Sequence, residues 1–456
     1  AATASPAPTA TATATASPTP APTQTAIPVP EPTSTAPTVS GNEIYVAPDG
    51  SDESGDGSAG NPYGSFERAR AAVAEINDNM TEDITVYFRG GTYYVDETIV
   101  LGVEDSGSNG YNVEYKAYPG EEPVFSGGER VTGWTQDTEN PNLYVAELNR
   151  DERLRQLYVN DQRAYMTSKK LQGLGGYGTY EITQGEGDYA WESLSRSDGV
   201  KFSPSDLPAD IKNPSDIEVQ SRSTWTTATV AIRGIESVDG STVALFEQPY
   251  GAIAQSLGWG TAYSPSKENY VYNVFEFLDE PGEFYFDRAE QKLYYWPREG
   301  EDMATAEVYA PEVDTLLRIE GEDLESHASH IVIDGLTFEN TDWNLYEIAG
   351  SHGKAATQTS LSLTSTVSDW HAVLFRNVDV TAAAVEVTSA DNIGFVNNTI
   401  KHTANDGLNI INDVTDSTFD GNVIYDAGGT AISVGHPQHH EIGDKGREEL
   451  LGYKDP

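Results

Sequence analysis

A 24-residue internal repeat constrains the fold of this chain more than any other feature. Phe395, Asn398, Ile400 and the run Gly407-Leu408-Asn409-Ile410 recur as Phe419, Asn422, Ile424 and Ala431-Ile432-Ser433-Val434, each pair 24 positions apart. A fixed period of this length marks stacked supersecondary units, and short apolar strands broken by Asn, Asp and Gly identify each unit as one coil of a parallel β-solenoid. Ile333, Leu336 and Phe338, and then Phe375, Val378 and Val380, fit the same frame with coil lengths altered by insertions. Asn398 over Asn422 predicts a structural ladder, since stacked Asn side chains satisfy buried backbone amides at a turn.

The N-terminal half carries the same signal more faintly. A strand at Ile44-Tyr45-Val46 is followed by a helix over Ser65 to Asn77, with Ser65 as N-cap and Ala69, Ala72, Val73 and Ile76 at helical spacing. Short strands then recur at Ile84 to Phe88, Thr92 to Val95, Ile99 to Leu101, Val113 to Ala117 and Pro123 to Phe125. Between about 170 and 310 the strands lengthen and aromatics increase. Thr229 to Ile232 and Val243 to Phe246 flank Asp239-Gly240 as a hairpin, which predicts an inserted β-rich, sandwich-like domain. The expected division is a linker over 1–42, N-terminal coils over 43–170, the insert over 171–310, and coils carrying the site over 311–456, incomplete at the C-terminus.

Residues 1 to about 40 are almost entirely Ala, Thr, Pro and Ser and cannot bury a core. They read as a disordered linker, open to O-glycosylation, through which further modules or a cell-envelope tether would attach. The chain starts at Ala1 and carries no basic-then-apolar leader, which reads as a mature protein that is secreted, extracellular or at the cell surface. Zero cysteines exclude a disulfide framework and a thiol nucleophile. With 72 Asp+Glu against 27 Lys+Arg, the net charge of -45 repels phosphate backbones and anionic lipid, so no nucleic-acid partner is expected. No apolar stretch approaches the ~20 residues of a spanning helix, so no membrane insertion is expected either.

Four segments carry a resemblance: Arg89-Gly90-Gly91-Thr92-Tyr93, Tyr118 through Gly128, Leu278 through Tyr285, and His402-Thr403-Ala404-Asn405-Asp406-Gly407. Across roughly residues 43 to 440 the chain resembles bacterial right-handed parallel β-helix glycoside hydrolases, especially glycoside hydrolase family 141. The resemblance implies an all-β fold, a right-handed parallel β-helix (solenoid) with an inserted β-rich domain, acting on polysaccharide. Relatives include enzymes cleaving fucosides or xylan, while β-helices in general also host lyases and phage adhesins. Such relatives carry further coils beyond a segment like Ile432 to Gly435. The polar stretch to Pro456 implies either a truncated chain or missing catalytic coils, with an uncapped, association-prone end.

Glycoside hydrolysis needs two carboxyl groups flanking one bond, about 5 Å apart for retention or ~6.5 to 9.5 Å for inversion. Equivalent positions on successive rungs lie about 4.8 Å apart, so a coil stack supplies such pairs readily. Asp406 and Asp426 are the expected carboxyl pair, with Glu386 as the replacement and His402, one repeat before Asp426, orienting an acid or a substrate hydroxyl. The alternative reading makes Asp406 and Asp426 turn acids beside glycine. Asn340 holds the equivalent place in an earlier coil and is expected to contact substrate. Trp343, Tyr346 and Trp370 are expected to stack on sugars or to shield a solenoid edge. His436, in the run His436-Pro437-Gln438-His439-His440, is expected to contact substrate from a polar loop, and no metal motif is recognised there.

These features predict a glycosidase on neutral plant or microbial polysaccharide, needing no cofactor. A polysaccharide lyase is the alternative on the same fold. It would neutralise a uronate with Ca²⁺ or with basic residues, and Arg376 and Lys401, both expected to face outward, are placed to meet an anionic chain. A non-catalytic carbohydrate-binding or adhesin module is the third reading, and a structural Ca²⁺ among Asp-rich turns stays open.

Overall fold

The computed structural model describes residues 42–182, 194–222, 227–256, 263–343, 353–356, 360–363 and 378–435. The linker expected over 1–42 lies outside them except for Asn42. The described chain is all-β, with only the helices Phe66–Val73 and Tyr250–Ser256 and four short 3-10 turns beside its strands.

Three longer parallel sheets carry the repeats, beside a short fourth of Ala328–Ser329, Ala390–Asp391 and Val414–Thr415. In spatial order the first holds Glu43–Val46, Ile84–Phe88, Val113–Ala117, Ile331–Asp334, Gly394–Val396 and Thr418–Asp420. The second holds Gly91–Tyr94, Pro123–Ser126, Thr337–Glu339, Thr399–Thr403 and Val423–Ala427. The third holds Ile99–Leu101, Leu317–Glu320, Ala383–Thr388, Asp406–Ile410 and Ile432–Val434. From Ile84 onward the chain visits these sheets in rotation. Phe395 lies beside Phe419, Ile400 beside Ile424 and Leu408 beside Ile432, so the 24-residue period is the rung.

Strand alternation turns every second residue of all three sheets into one shared core. Tyr93, Phe125 and Phe338 stack at 5.0 and 5.6 Å, and Phe395 and Phe419 extend the column at 6.1 and 6.4 Å. The Asn ladder forms as expected: the Asn398 side chain accepts from Leu336 N–H at 2.9 Å and donates to the Ile333 carbonyl at 3.0 Å. Asn422 repeats this one rung on, accepting from Asn398 N–H and donating to the Phe395 carbonyl. The N-terminal helix is capped by Ser65 as predicted but ends at Val73; Phe66 stacks on Tyr115 at 4.7 Å, closing the core there, while Ile76 is exposed.

The parallel strands stop at Ser126 and resume at Leu317, then stop at Glu339 and resume at Ala383. Both excursions therefore leave from one corner of the stack, between the second and third sheets. In the first, Gln162–Arg163, Tyr158–Val159, Val308–Pro311 and Gly128–Arg130 form one antiparallel sheet, and Glu283–Asp287 and Lys292–Tyr295 centre a mixed one, to which Tyr165–Met166 adds in parallel. A larger antiparallel sheet includes the predicted hairpin, Thr227–Val238 with Ser241–Phe246, turned by Asp239 and Gly240 at φ 48° and 78°. Both left-handed values fit the tight turn that Asp-Gly favours. The insert has its own apolar cores, separate from that of the stack.

One expected coil is not a coil. Val378–Val380 pairs antiparallel with Ser360–Leu363, and Ile333 lies directly beside Phe395 with no rung between them. An alternating apolar strand reads the same in either direction, so the pattern of Val378-Asp379-Val380 does not distinguish a rung from a hairpin. Phe375 lies outside the described residues.

Candidate active site

The site lies at the corner from which both excursions leave. Asn340, His402 and Asp426 hold equivalent positions on successive rungs, following the pairs Glu339 with Lys401 and Lys401 with Tyr425. All three are left-handed, at φ 60°, 54° and 51°. Asn, Asp and His are the non-glycine residues that adopt this conformation most readily.

His402 is held on every side. Its Nδ1 lies 2.7 Å from Asp426 Oδ2 and its Nε2 lies 2.9 Å from Asp161 Oδ1. Tyr158 and Tyr425 flank the ring at centroid distances of 4.9 and 6.2 Å. The side chain is 5% exposed, against 32% for Asp426 and 65% for Asp161. Asp161 comes from the insert: it is the second residue of the turn joining Tyr158–Val159 to Gln162–Arg163, with Asn160 and Asp161 both at positive φ.

Cations complete the arrangement. Lys401 Nζ bridges Asp161 Oδ1 at 2.5 Å and Glu339 Oε2 at 3.0 Å. Arg163 Nε lies 3.1 Å from Asp426 Oδ1, and its Nη2 donates to the carbonyls of Thr403 and Asp426, pinning the insert to two adjacent rungs. Desolvation pushes the Asp426 carboxyl up, but the hydrogen bond from His402 and the charge of Arg163 outweigh it and hold the group below the usual range. Asp161 likewise loses water, and hydrogen bonds from Lys401 and His402 bring it below the usual range. Burial lowers Lys401, and its two carboxylates more than reverse that. Both acids are thus ionised at neutral pH, suited to accept a proton or attack a carbon.

Of the expected carboxyl pair, only Asp426 is here. Asp406 is 1% exposed and its Oδ1 accepts the Thr430 backbone N–H at 2.7 Å, one rung away. A Cβ on Gly429 would lie 2.3 Å from that oxygen, so Asp406 fills the turn. Glu386 belongs to the third sheet, bound to Arg318 at 2.9 Å and to the Ala383 N–H, apart from the His402 network. Asn340 is buried and donates to Ser126 Oγ and Glu339 Oε1. Lys401 faces outward but its ammonium is engaged by Asp161 and Glu339 rather than open to a chain. Trp370, Tyr346, Arg376 and His436 lie outside the described residues.

Trp343 is not on an open edge. It is 1% exposed, with the Arg155 guanidinium 4.4 Å over its ring. It borders a cavity of about 610 Å³ between stack and insert, whose walls include Ala404 and Gly428 on one side and Arg163, Gln220 and Tyr272 on the other. Gly428 is two residues from Asp426, so the cavity opens beside the His402 network. Among the described residues no group of three or more His, Asp or Glu side chains is arranged to hold an ion. None of their helices is long and apolar enough to cross a membrane.

Sequence reasoning missed Asp161, Arg163 and Glu339. The Asn160-Asp161 dipeptide is a recognisable turn signal, but nothing local says that the turn meets His402, 241 positions away.

Residues 141–298 match the family model described as the GH141 insertion domain. No curated protein matches the chain. Among solved structures, a glycoside hydrolase aligns with a TM-score of 0.62 at 22% identity, covering 81% of this chain and 63% of its own length. That likeness is one of fold, and this chain spans under two thirds of that protein. The complex of XylC with xylose aligns at a TM-score of 0.33 and 12% identity, over 82% of this chain and 42% of its own. The catalytic domain of a GH87 alpha-1,3-glucanase in complex with nigerose aligns at 0.12 and 12%, over 60% and 62%.

Proposed function

We propose, because residues 141–298 match the model of the GH141 insertion domain, that this chain is a secreted glycoside hydrolase acting on a plant or microbial polysaccharide. We read its three parallel sheets as the faces of a right-handed β-helix, supported by strands that enter them in rotation at a 24-residue period. The insert is then the excursion between Ser126 and Leu317, bringing Asp161 and Arg163 onto the corner turns.

The observation that carries the reading is one imidazole clamped between two solvent-reachable carboxylates, from the stack and the insert, beside a cavity of sugar-accommodating size. Asp426, neutralised by Arg163 and His402, is the base or nucleophile. Asp161, ionised in the free protein, takes up a proton when substrate covers it and then serves as the proton donor. It is the more exposed of the two, and a sugar covering it removes water without adding a cation, which raises its affinity for a proton. His402 is the positioning residue between them, and it transmits charge from one acid to the other. The Asp406–Asp426 pairing is replaced in this reading by Asp161–Asp426, since Asp406 serves its turn.

The test is release of reducing ends from a panel of polysaccharides, with absorbance near 235 nm followed in parallel. Reducing ends without unsaturated product support hydrolysis. Unsaturated product identifies a lyase, and silence from a folded sample removes the enzymatic reading.

A further inference from the structure

The largest antiparallel sheet of the insert has two unlike faces. Leu171, Val219, Val230 and Val271 are buried in the insert's core. The residues between them point the other way. Register sets Lys170, Tyr270, Gln220 and Thr229 in one row across four strands, with Gln172 beside Glu268 and Arg222 beside Thr227 further along. This outer face floors two cavities, of about 460 and 610 Å³, that share Arg222. The second is the one that ends at Gly428 beside Asp426. One continuous polar face therefore leads from Lys170 and Lys267 to the candidate site.

Its charge runs against the rest of the chain. Arg155, Arg163, Lys170, Arg222 and Lys267 line the two cavities, and Glu268 is the single carboxylate among the described lining residues. In a chain with 72 acidic and 27 basic residues this is a marked local reversal. Glu268 is occupied by Lys170 at 2.7 Å, Arg155 by Glu218 and Arg163 by Asp426. Among the described residues no carboxylate lies within ion-pair distance of Arg222 or Lys267. Arg222 instead bonds the Gln220 side-chain oxygen at 2.8 Å and lies 4.1 Å over the Tyr270 ring. Neutral partners fix the guanidinium without cancelling its charge.

From this face we infer a subsite for a glycan that carries anionic groups, uronate carboxylate or sulfate ester. The Arg222 guanidinium, whose Nε and Nη2 meet Gln220 and the Tyr272 hydroxyl, offers its remaining hydrogens to an oxyanion, and Lys267 supplies a second positive charge. Tyr270 and Tyr272, stacked at 6.3 Å, offer apolar area beside them for a sugar ring. The net charge of -45 does not forbid this, because charges further than about 8 Å are screened at physiological ionic strength. The inference rests on the hydrolase reading for the direction in which the bound chain runs, toward Asp426, but not for binding itself.

Binding to the full chain, measured by titration calorimetry without turnover, tests it. The probes are polygalacturonate and its carboxyl-reduced form, and a sulfated galactan and its desulfated form. At least one charged polymer is expected to bind, its neutral counterpart roughly tenfold more weakly, and added salt to close the gap. Which charged polymer binds tells carboxylate from sulfate. Arg222→Gln with Lys267→Gln should lose the same factor with an unchanged melting temperature, and Arg222→Lys should recover part of it. Equal binding of charged and neutral partners, or no loss in a folded double variant, overturns the proposal. Charge-selective binding with no hydrolysis of any polymer leaves the subsite standing and removes only the hydrolase reading.

Discussion

His402 and Asp426 are one rung apart in the stack, 24 residues apart in sequence, and joined by a 2.7 Å contact from Nδ1 to Oδ2. The same histidine meets Asp161 of the insert through its other nitrogen. One side chain thus reports on both halves of the molecule, and its neighbours set what the site can do.

Removing the charge of Asp426 without its shape should abolish function and leave the fold. Asp426→Asn is expected to lower kcat by about 10²- to 10⁴-fold, the range typical of a positioned acid or base, with KM little changed. Steady-state kinetics beside circular dichroism checks this.

Acid stability follows from the same two carboxyls. Both have folded-state values below the unfolded ones, so the folded state binds fewer protons through the interval between them. Their contribution is present above the ordinary Asp value, about 3.9, and is lost as pH falls through the depressed folded values. Urea midpoints should therefore fall below about pH 4 more steeply for the parent than for Asp161→Asn, Asp426→Asn. Parallel curves would contradict the coupling.

Arg150 and Asp342 form a second tie between insert and stack, 2.7 Å apart and 4% and 1% exposed. Burial drives the Asp342 carboxyl up, and Arg150 opposes it. Arg150→Met leaves that acid buried and unpartnered by its cation, and should cost about 3–5 kcal/mol in denaturant unfolding. Arg150→Met with Asp342→Leu should recover much of the loss, because a buried pair replaced by apolar groups is often neutral.

The Asn ladder gives a test of the stack alone. Asn398→Ala strands the Leu336 N–H and the Ile333 carbonyl in the core and should destabilise by about 1–3 kcal/mol, without a comparable change in kcat. Unfolding and kinetics on one sample separate the two effects.

The parallel pairing was legible because its physics is local and periodic: the 24-residue recurrence of Phe, Asn and Ile sets Phe395 beside Phe419 and Ile400 beside Ile424. His402 and Asp426 followed from the same register. Asp406 and Asp426 read alike, because an Asp that caps a turn and an Asp that reacts have the same sequence signature. Asp161 and Arg163 were invisible for the opposite reason. Their partners lie about 240 and 263 positions away, set by how an inserted domain docks on a corner, which no periodicity encodes. The antiparallel pairing of Val378–Val380 was missed because alternation reports a strand's faces and not its direction.

The most direct measurement of the central claim is kcat on a cleaved polysaccharide for Asp161→Asn, Asp426→Asn and Asp406→Asn, each with its melting temperature. The account predicts that the first two lose turnover while remaining folded, and that Asp406→Asn loses stability but keeps turnover at a temperature where it is folded. Full activity in Asp161→Asn and Asp426→Asn, or selective loss of turnover in a stable Asp406→Asn, would contradict it.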